Sequence, residues 1–358
     1  MHKPLFPIQL NVVLILLGLS TSLVPTTVMA TSATAASVEY TYEGIAHAGP
    51  MAIDAVLNKW KGNRYNEDDG FLWQQSVSSL SYNNWTLSYV SRFHAEYRFP
   101  HDLAEGFYYA SNDVSLEDEY HTVSTIQAKD YRGYGWEISR QFYFDNNLSL
   151  TPKVTWLLID RIIWGTVKGD IRYTTPEEWG GRLDIEYGYT KDPVLRRPLE
   201  RPYYGDLYAF GIQADWSNQN YSINYRGENL LAQIYWKDLP YTYAIADTDA
   251  AFLIDGYEYY DEADITPSSL HWIIQSYQLS AKNRVHLDTF VSGIQTTFNI
   301  GYSRELSTST VSLAYNPIWH AYSLGFNHKY IAIKVTSDSI NTSTSRTLSA
   351  LFRLNYTF

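Results

Sequence analysis

The side chains best suited to chemistry are histidines that lie close to a hydroxyl or a carboxylate in the chain. These pairs are His121 with Ser124, His286 with Asp288, and His320 with Ser323. Nucleophilic or acid–base catalysis requires such a pair together with a third group that orients the histidine. Since none of the pairs has a recognisable third partner nearby, hydrolysis is the weakest functional hypothesis that the sequence allows.

An acidic stretch offers oxygen ligands without the spacing of a defined metal site. Its members are Asp255, Glu258, Asp261, Glu262 and Asp264. A calcium loop needs a glycine and fixed ligand positions that this stretch lacks, and no histidine pair has zinc-site spacing with a third ligand. The chain contains no cysteine, so disulfides and thiolate sites are excluded. The sequence predicts no metal site and no cofactor.

The elements that position these side chains are read from a recurrent alternation of apolar and polar residues. From Trp85 to Phe99, one face carries mostly apolar and aromatic residues and the other carries Arg92, Glu96 and Arg98. Successive side chains of a strand point to opposite faces, so this period of two predicts a strand with one apolar side. The same alternation recurs around residues 182–189, 208–216, 290–302 and 331–336.

Composition restricts the class of protein further. The chain contains 32 Tyr, 11 Trp and 14 Phe, and its formal net charge is -11. A negative charge of this size argues against nucleic acid as a partner. Beyond the first residues, no stretch approaches the roughly 20 apolar residues of a membrane-spanning helix. The many aromatic residues are typical of the girdles that flank the apolar band of a membrane barrel.

The last eleven residues, Leu348–Phe358, form an amphipathic strand that ends on an aromatic residue. Phe352, Leu354, Tyr356 and Phe358 share one face of it. This segment resembles the C-terminal signature of Gram-negative outer-membrane β-barrel proteins, in which these alternating residues are the assembly signal. The resemblance implies insertion by the barrel-assembly machinery, delivery by periplasmic chaperones, and contact with outer-membrane lipid and lipopolysaccharide. It matches no particular family and leaves the oligomeric state open.

The beginning of the chain predicts export. His2 and Lys3 precede an apolar stretch from Val12 to Leu19, and Val28-Met29-Ala30 offers small residues at a cleavage site. This is the pattern of a secretory signal peptide. We therefore expect residues 1–30 to be a cleaved signal peptide, with cleavage after Ala30, and residues 31–358 to form one outer-membrane β-barrel domain.

The expected fold is all-β, a single transmembrane antiparallel up-and-down barrel of about 16 strands, with 12 to 18 allowed by the chain length. The sequence offers about nineteen candidate strands, whereas a single-chain bacterial barrel normally has an even number. At least one candidate strand must therefore be wrong, and the weakest are the short ones between Tyr221 and Ala250, which contain Pro240, a residue that cannot donate to a strand ladder. Asn83-Asn84, residues 145–147 and residues 217–220 are predicted periplasmic turns. Residues 61–70, 191–205 and 255–269 are predicted extracellular loops.

Charged residues on the polar faces are predicted to line the lumen. They are Arg92, His94, Glu96, Arg98, Arg182, Asp184, Glu186, Arg226, Glu228, Lys237, Lys334 and Arg353. In a wide barrel such residues set ion selectivity, and in a narrow one they pair and fill the interior.

A basic cluster marks one predicted loop. Arg196, Arg197 and Arg201 lie among prolines, and arginine binds phosphate in a bidentate manner. We expect contact with lipopolysaccharide phosphates or simple exposure, in preference to a constricting plug.

Three functions remain open at this point. A porin-like passive channel for small hydrophilic solutes or ions is favoured. The alternative is a non-transporting envelope barrel with a plugged lumen, and the third is an outer-membrane hydrolase acting through His286 or His121.

Overall fold

The structure is a computed structural model, and it describes part of the chain. The described residues are 36–53, 64–144, 147–175, 178–192, 198–199, 201–247, 252–260, 263–265, 267–341 and 344–358. The predicted signal peptide lies outside them, as do Arg196, Arg197, Asp261 and Glu262. Among the described residues, no helix has the length and apolar composition of a membrane span.

The described chain is almost entirely β-structure, as the alternation predicts. The strands are β1 Ser37–His47, β2 Asp69–Tyr82, β3 Trp85–Arg98, β4 Tyr120–Arg140, β5 Phe142–Tyr143, β6 Leu148–Thr175, β7 Glu178–Tyr189, β8 Gly205–Ser217, β9 Tyr221–Trp236, β10 Leu239–Asp247, β11 Phe252–Tyr260, β12 Ala263–Ile265, β13 Leu270–Ser280, β14 Asn283–Val291, β15 Thr296–Leu306, β16 Ser309–Asn316, β17 Ala321–His328, β18 Ile331–Ser337 and β19 Thr347–Thr357. Helix α1 spans His101–Ser111 between β3 and β4.

A closed antiparallel ring of 14 strands forms the body of the molecule. In ring order these are β1, β2, β3, β4, β6, β8, β9 and then β13 to β19, and β19 pairs with β1 along its whole length, from Ser37 opposite Thr357 to His47 opposite Thr347. Closure leaves no free sheet edge, which is what a spanning sheet requires. The number of strands lies within the expected range of 12 to 18 and below the expected 16.

Five of the nineteen strands lie outside the ring: β7, β10 and β11, and the short β5 and β12, which pair with β6 and β9. Strand β6 divides its pairing: Leu148–Ile159 pairs with β8 inside the ring, whereas Ile163–Thr175 pairs with β7 beyond it. Strand β10 pairs with β7, and β11 pairs with β10, so the three extend the sheet at one end of the barrel. Of the weak candidates between residues 221 and 250, β9 is therefore a strand of the ring, and β10 is a strand that lies outside it.

The two ends of the ring differ in their connections. The chain ends at the same side as the short turns, including Asn83-Asn84, and both of these asparagines have positive φ, 48° and 66°. Positive φ at both central residues is the geometry of a type I′ hairpin turn, which matches the twist of the strands. The long loops, helix α1 and the β7–β10–β11 extension occupy the opposite end. In the usual orientation these ends are periplasmic and extracellular, respectively.

The outer surface of the ring is apolar and aromatic. At the end with the short turns, the exposed aromatic residues include Tyr82, Trp85, Tyr143, Phe144, Tyr221, Tyr277, Tyr302, Tyr330, Tyr356 and Phe358. Above them on the outer face lie exposed aliphatic residues such as Leu87, Leu313, Leu324 and Ile333. An apolar band bordered by aromatic side chains is the surface that a barrel presents to lipid.

Apolar side chains also fill parts of the interior. One buried cluster joins Phe71 and Trp73 of β2 to Leu270 of β13 and Phe290 of β14, and the rings of Phe71 and Phe290 lie 5.4 Å apart. Because β2 and β14 are not neighbours in the ring, this contact crosses the interior. A second cluster contains Val90, Leu157 and other inward residues of β3, β4, β6, β8 and β9.

Candidate functional site

Arg92 on β3 connects two parts of the barrel wall that are not neighbours in the ring. Its Nη1 donates to Oδ1 of Asn229 on β9 at 2.6 Å, and its Nε donates to Oε1 of Gln75 on β2 at 2.8 Å. Three strands separate β3 from β9 in the ring, so the bond to Asn229 passes through the lumen. The side chain of Arg92 is 0% exposed. The part of the interior beside β3 to β9 is therefore occupied by protein.

An irregularity in β9 places the partners of Arg92. The pairing of β8 with β9 shifts between Phe210 and Ile212, and Asn229 adopts a φ of 54°. Such a bulge bends the strand and redirects its side chains. As a result Glu228 and Asn229 are both buried, and both bond to Arg92.

Glu228 is the centre of a charged network. Its carboxylate lies 3.3 Å from Nζ of Lys153 on β6 and 3.4 Å from Nη2 of Arg92. Lys153 also approaches Glu137 of β4 at 3.9 Å. Arg226, two residues before Glu228, donates to Oε2 of Glu43 on β1 at 2.6 Å.

The network is balanced in charge. Its described members are the basic Arg92, Lys153 and Arg226 and the acidic Glu43, Glu137 and Glu228. Charges taken out of water are tolerated when each has an opposite partner, so this balance explains how the charges can be buried together.

Two tryptophans form one side of the network. The guanidinium of Arg226 lies 3.8 Å from the ring centre of Trp272 and 5.8 Å from that of Trp73. The two indoles are themselves 5.0 Å apart. A cation held over an aromatic face in a dry environment gains about 2 kcal/mol. The polar network and the apolar cluster of β2, β13 and β14 therefore form one continuous layer.

A second contact crosses the other half of the interior. Nζ of Lys334 on β18 lies 3.1 Å from Oδ2 of Asp288 on β14, and three ring strands separate them. The wall between these two residues carries small side chains. Those that share the inward face in the paired rows are Gly301, Ser303, Ser312, Ala314, Ser323, Gly325 and Thr336. The interior thus has a bulky charged side on β3 to β9 and a small polar side on β15 to β18.

A closed antiparallel ring with an apolar, aromatic exterior and a polar, charged interior is the structure that a sheet adopts to span a lipid bilayer. The chain is an outer-membrane β-barrel protein. The resemblance noted at its C-terminal strand is confirmed at this level. Phe352, Leu354, Tyr356 and Phe358 lie on the outer face, as the alternation predicted.

Comparison with known proteins gives structural likeness and no family. No protein-family model matches the chain, and no curated protein matches it. Among solved structures, a Pseudomonas aeruginosa FadL homologue is 11% identical, with a TM-score of 0.38 over 91% of this chain and 89% of that one. The P. putida toluene transporter TodX is 10% identical, with a TM-score of 0.39 over 90% and 88%. A mutant of Rh. blastica porin is 10% identical, with a TM-score of 0.26 over 90% and 100%. Likeness this low identifies no shared cargo.

The residues predicted to line the lumen fall into two groups. Arg92, His94, Glu96, Arg226, Glu228, Lys334 and Arg353 lie on ring strands and on the inward face, and Arg98 lies at the extracellular end of β3, paired with Asp69. The prediction is wrong for Arg182, Asp184, Glu186 and Lys237. The first three lie on β7, which leaves the ring, and Lys237 lies in the turn after β9. Alternation identifies a polar face, but it does not reveal which strands close the barrel.

The alternation in the sequence did not identify several of the interior residues. Glu43, Gln75, Glu137, Lys153 and Asn229 all bond within the network. The alternation of Ser149, Thr151, Lys153 and Thr155 on β6 was a signal that could have found Lys153. No such signal exists for Asn229, because its inward position depends on the bulge.

The candidate histidine pairs have other partners. Nε2 of His121 lies 3.0 Å from Asp170, Nδ1 of His320 lies 3.0 Å from the hydroxyl of Tyr315, and Asp288 pairs with Lys334. His286 shares the inward face of β14 with Asp288 and Phe290. No hydrogen bond within the described residues joins His121 to Ser124, His286 to Asp288 or His320 to Ser323.

The remaining predicted sites are at the extracellular end. Nη2 of Arg201 lies 2.5 Å from Oδ2 of Asp238, while Arg196 and Arg197 are outside the described residues. The described residues hold no group of three or more His, Cys, Asp or Glu that fits a metal ion. The side chains of the acidic stretch at 255–264 are not among those described.

Charged residues also meet at the extracellular end of the ring, where Glu67 joins three segments. It contacts His47 at the end of β1 at 3.1 Å and Arg346 before β19 at 2.9 Å. Partial burial opposes ionisation of Glu67, but hydrogen bonds from His47 and Arg346 outweigh it and keep the pKa of Glu67 below its ordinary value. His47 in turn stacks on Trp319 at 4.9 Å and bonds Thr347 at 2.8 Å.

Asp68 attaches helix α1 to the same region. Its Oδ1 accepts hydrogen bonds of 2.9 Å from the backbone N–H and from Nδ1 of His101, the first residue of the helix. Burial opposes ionisation of Asp68, but these bonds outweigh it and lower its pKa. The bond to Asp68 raises the pKa of His101 against a smaller opposing effect of burial. Glu67 and Asp68 therefore connect β1, the segment before β19 and helix α1 at this end of the barrel.

Proposed function

We propose that this barrel is a passive channel for small hydrophilic solutes or ions, with a closed or narrow resting state. The observation that carries the proposal is the division of the interior into a small polar wall on β15 to β18 and a charged network on β3 to β9. The serine and threonine hydroxyls of this wall can replace part of the hydration shell of a polar solute, and its glycine and alanine residues leave room for the solute to pass. Solutes would pass along this wall, and the Lys334–Asp288 contact would form the constriction.

The alternative is a non-transporting barrel of the envelope with a plugged lumen. Two observations favour it: Arg92 is fully buried in contacts that cross the interior, and Phe71 and Trp73 are buried in the aromatic layer. Paired charges that fill an interior carry no functional information by themselves.

Single-channel recording in a planar bilayer distinguishes a passive channel from a plugged barrel. The wild-type barrel is compared with a Lys334→Ala/Asp288→Ala double variant, and Lys237→Ala outside the ring is the control. Under the channel proposal, discrete current steps occur and their amplitude rises in the double variant while the control matches the wild type. Folding of each protein is verified by its heat-modifiable migration on gels. Absence of steps in wild type and double variant alike would reject the channel and favour the plugged barrel.

A further inference from the structure

A groove of about 400 Å³ lies on the outer wall where β8, β9, β13, β14 and β15 meet. Its volume falls within the roughly 300–1,000 Å³ of ordinary ligand sites. The strand pairings align its outward side chains in one row: Trp216, Ile223, Gln275, Leu287 and Ile300. The next row toward the short turns contains Tyr221, Tyr277 and Val285. The groove therefore opens to lipid just above the periplasmic aromatic girdle.

Gln275 does not fit an ordinary lipid-facing wall. It is exposed in the middle of the row, with Ile223 on one side and Leu287 on the other. No described residue hydrogen-bonds its side-chain amide. An amide without a partner in an apolar environment carries a penalty of about 1–3 kcal/mol. A ligand with a carbonyl group at this depth would remove that penalty.

The height of Gln275 matches the ester region of a phospholipid. Two residues along β13 separate it from Tyr277, which is about 6–7 Å at the rise of a strand. Tyrosines of the girdle lie at the level of the lipid headgroups. An amide one step further into the bilayer therefore lies where acyl chains join the glycerol.

A basic side chain lies on the same outward face at headgroup level. Arg304 follows Ile300 and Tyr302 along β15 toward the periplasmic end, and it is exposed. It forms no ion pair with any described residue. Its guanidinium is suited to bind a phosphate.

We propose that this groove binds one glycerophospholipid of the periplasmic leaflet. Gln275 would hydrogen-bond an ester carbonyl, Arg304 would contact the phosphate, and an acyl chain would lie along Ile223, Leu287 and Ile300. The proposal concerns the outer wall and does not depend on whether the lumen conducts.

Native mass spectrometry of the full barrel tests it. The protein is refolded in vesicles of phosphatidylethanolamine and phosphatidylglycerol, extracted in mild detergent, and scored for retained phospholipid. Val285→Trp fills the groove, and Gln275→Leu removes the amide while keeping the side-chain size. The matched control is Leu87→Trp on the opposite wall, which also lies outward and two residues above the periplasmic turn.

The expected result is one retained phospholipid on the wild type and on Leu87→Trp. Val285→Trp should abolish it, and Gln275→Leu should lower the bound fraction roughly three- to tenfold, the effect of one lost hydrogen bond. Wild-type occupancy in either groove variant, an equal loss in Leu87→Trp, or no retained lipid on the wild type would overturn the proposal. Heat-modifiable migration shows that each variant is folded.

Discussion

Arg92 on β3 and Asn229 on β9 meet across the interior of the barrel, with 2.6 Å between Nη1 and Oδ1. The two residues are 137 positions apart, and neither strand pairs with the other. The contact exists because the β9 bulge turns Asn229 inward and gives it a positive φ. Contacts inside the barrel therefore contribute to its stability.

Removing Arg92 should therefore destabilise the barrel strongly. In Arg92→Met, Glu228 loses one cationic partner and Asn229 and Gln75 lose their donor, and breaking a buried pair in this way costs about 3–5 kcal/mol. The measurement is urea unfolding from vesicles, followed by tryptophan fluorescence. Arg98→Met is the control, since its side chain is 57% exposed and should change stability by less than about 1 kcal/mol. Equal effects of the two substitutions would contradict the importance assigned to the interior network.

Charge at the Lys334–Asp288 contact should control selectivity if the barrel conducts. Lys334→Glu places a second carboxylate opposite Asp288, so permeation should shift toward cations. The reversal potential in a salt gradient measures this shift. Lys237→Glu changes the net charge equally but lies in the turn after β9, so its reversal potential should stay at the wild-type value. A shift of the same size in both variants would contradict the placement of Lys334 at the constriction.

The attachment of helix α1 should depend on pH. The raised pKa of His101 means that its contribution to stability is fully present below the unfolded value, about 6.5, and is lost as pH rises through the folded value. The lowered pKa of Asp68 means that its contribution is present above about 3.9 and is lost as pH falls through its folded value.

The helix should accordingly be held most firmly between about pH 4 and 6.5. The measurement is limited proteolysis of residues 99–119 in the folded barrel, with His101→Gln for comparison. Cleavage of the wild type should accelerate above pH 7 and approach the variant's rate, while the variant changes little over this range. The effect is small because both side chains are partly exposed to solvent. A constant ratio of the two rates from pH 5 to 9 would contradict the assignment.

The Asn83-Asn84 turn should tolerate only residues that accept positive φ. Asn84→Val would place a β-branched side chain at a φ of 66° and destabilise the β2–β3 hairpin by about 1–2 kcal/mol. Asn84→Gly should preserve stability or raise it. Urea unfolding measures both variants. A valine variant as stable as the glycine variant would be inconsistent with the type I′ geometry.

The terminal phenylalanine should matter more for assembly than for final stability. Phe358 is exposed on the outer face, and its backbone N–H donates to the carbonyl of Ala36 at 2.9 Å. Phe358→Ala keeps this backbone bond, so unfolding should change by less than about 1 kcal/mol. Insertion by reconstituted assembly machinery should slow severalfold, whereas Leu324→Ala, also outward, should insert at the wild-type rate. Equal insertion rates for Phe358→Ala and wild type would argue against its role as the signal.

The sequence by itself determined the class of this protein and the orientation of most of its strands. Alternation with a period of two is a local property, so β3, β8, β18 and β19 could be assigned faces without knowing their neighbours. The Asn83-Asn84 turn was equally local, because asparagine tolerates positive φ whatever the rest of the chain does.

Only the tertiary structure decided which strands close the ring and which residues meet inside it. Arg182, Asp184 and Glu186 have the same alternation as the ring strands, yet β7 leaves the barrel because β6 divides its pairing between two partners. Asn229 lies inward because a bulge interrupts the alternation that the sequence shows. Strand pairing and closure depend on contacts between residues far apart in the chain, and a local pattern carries no information about them.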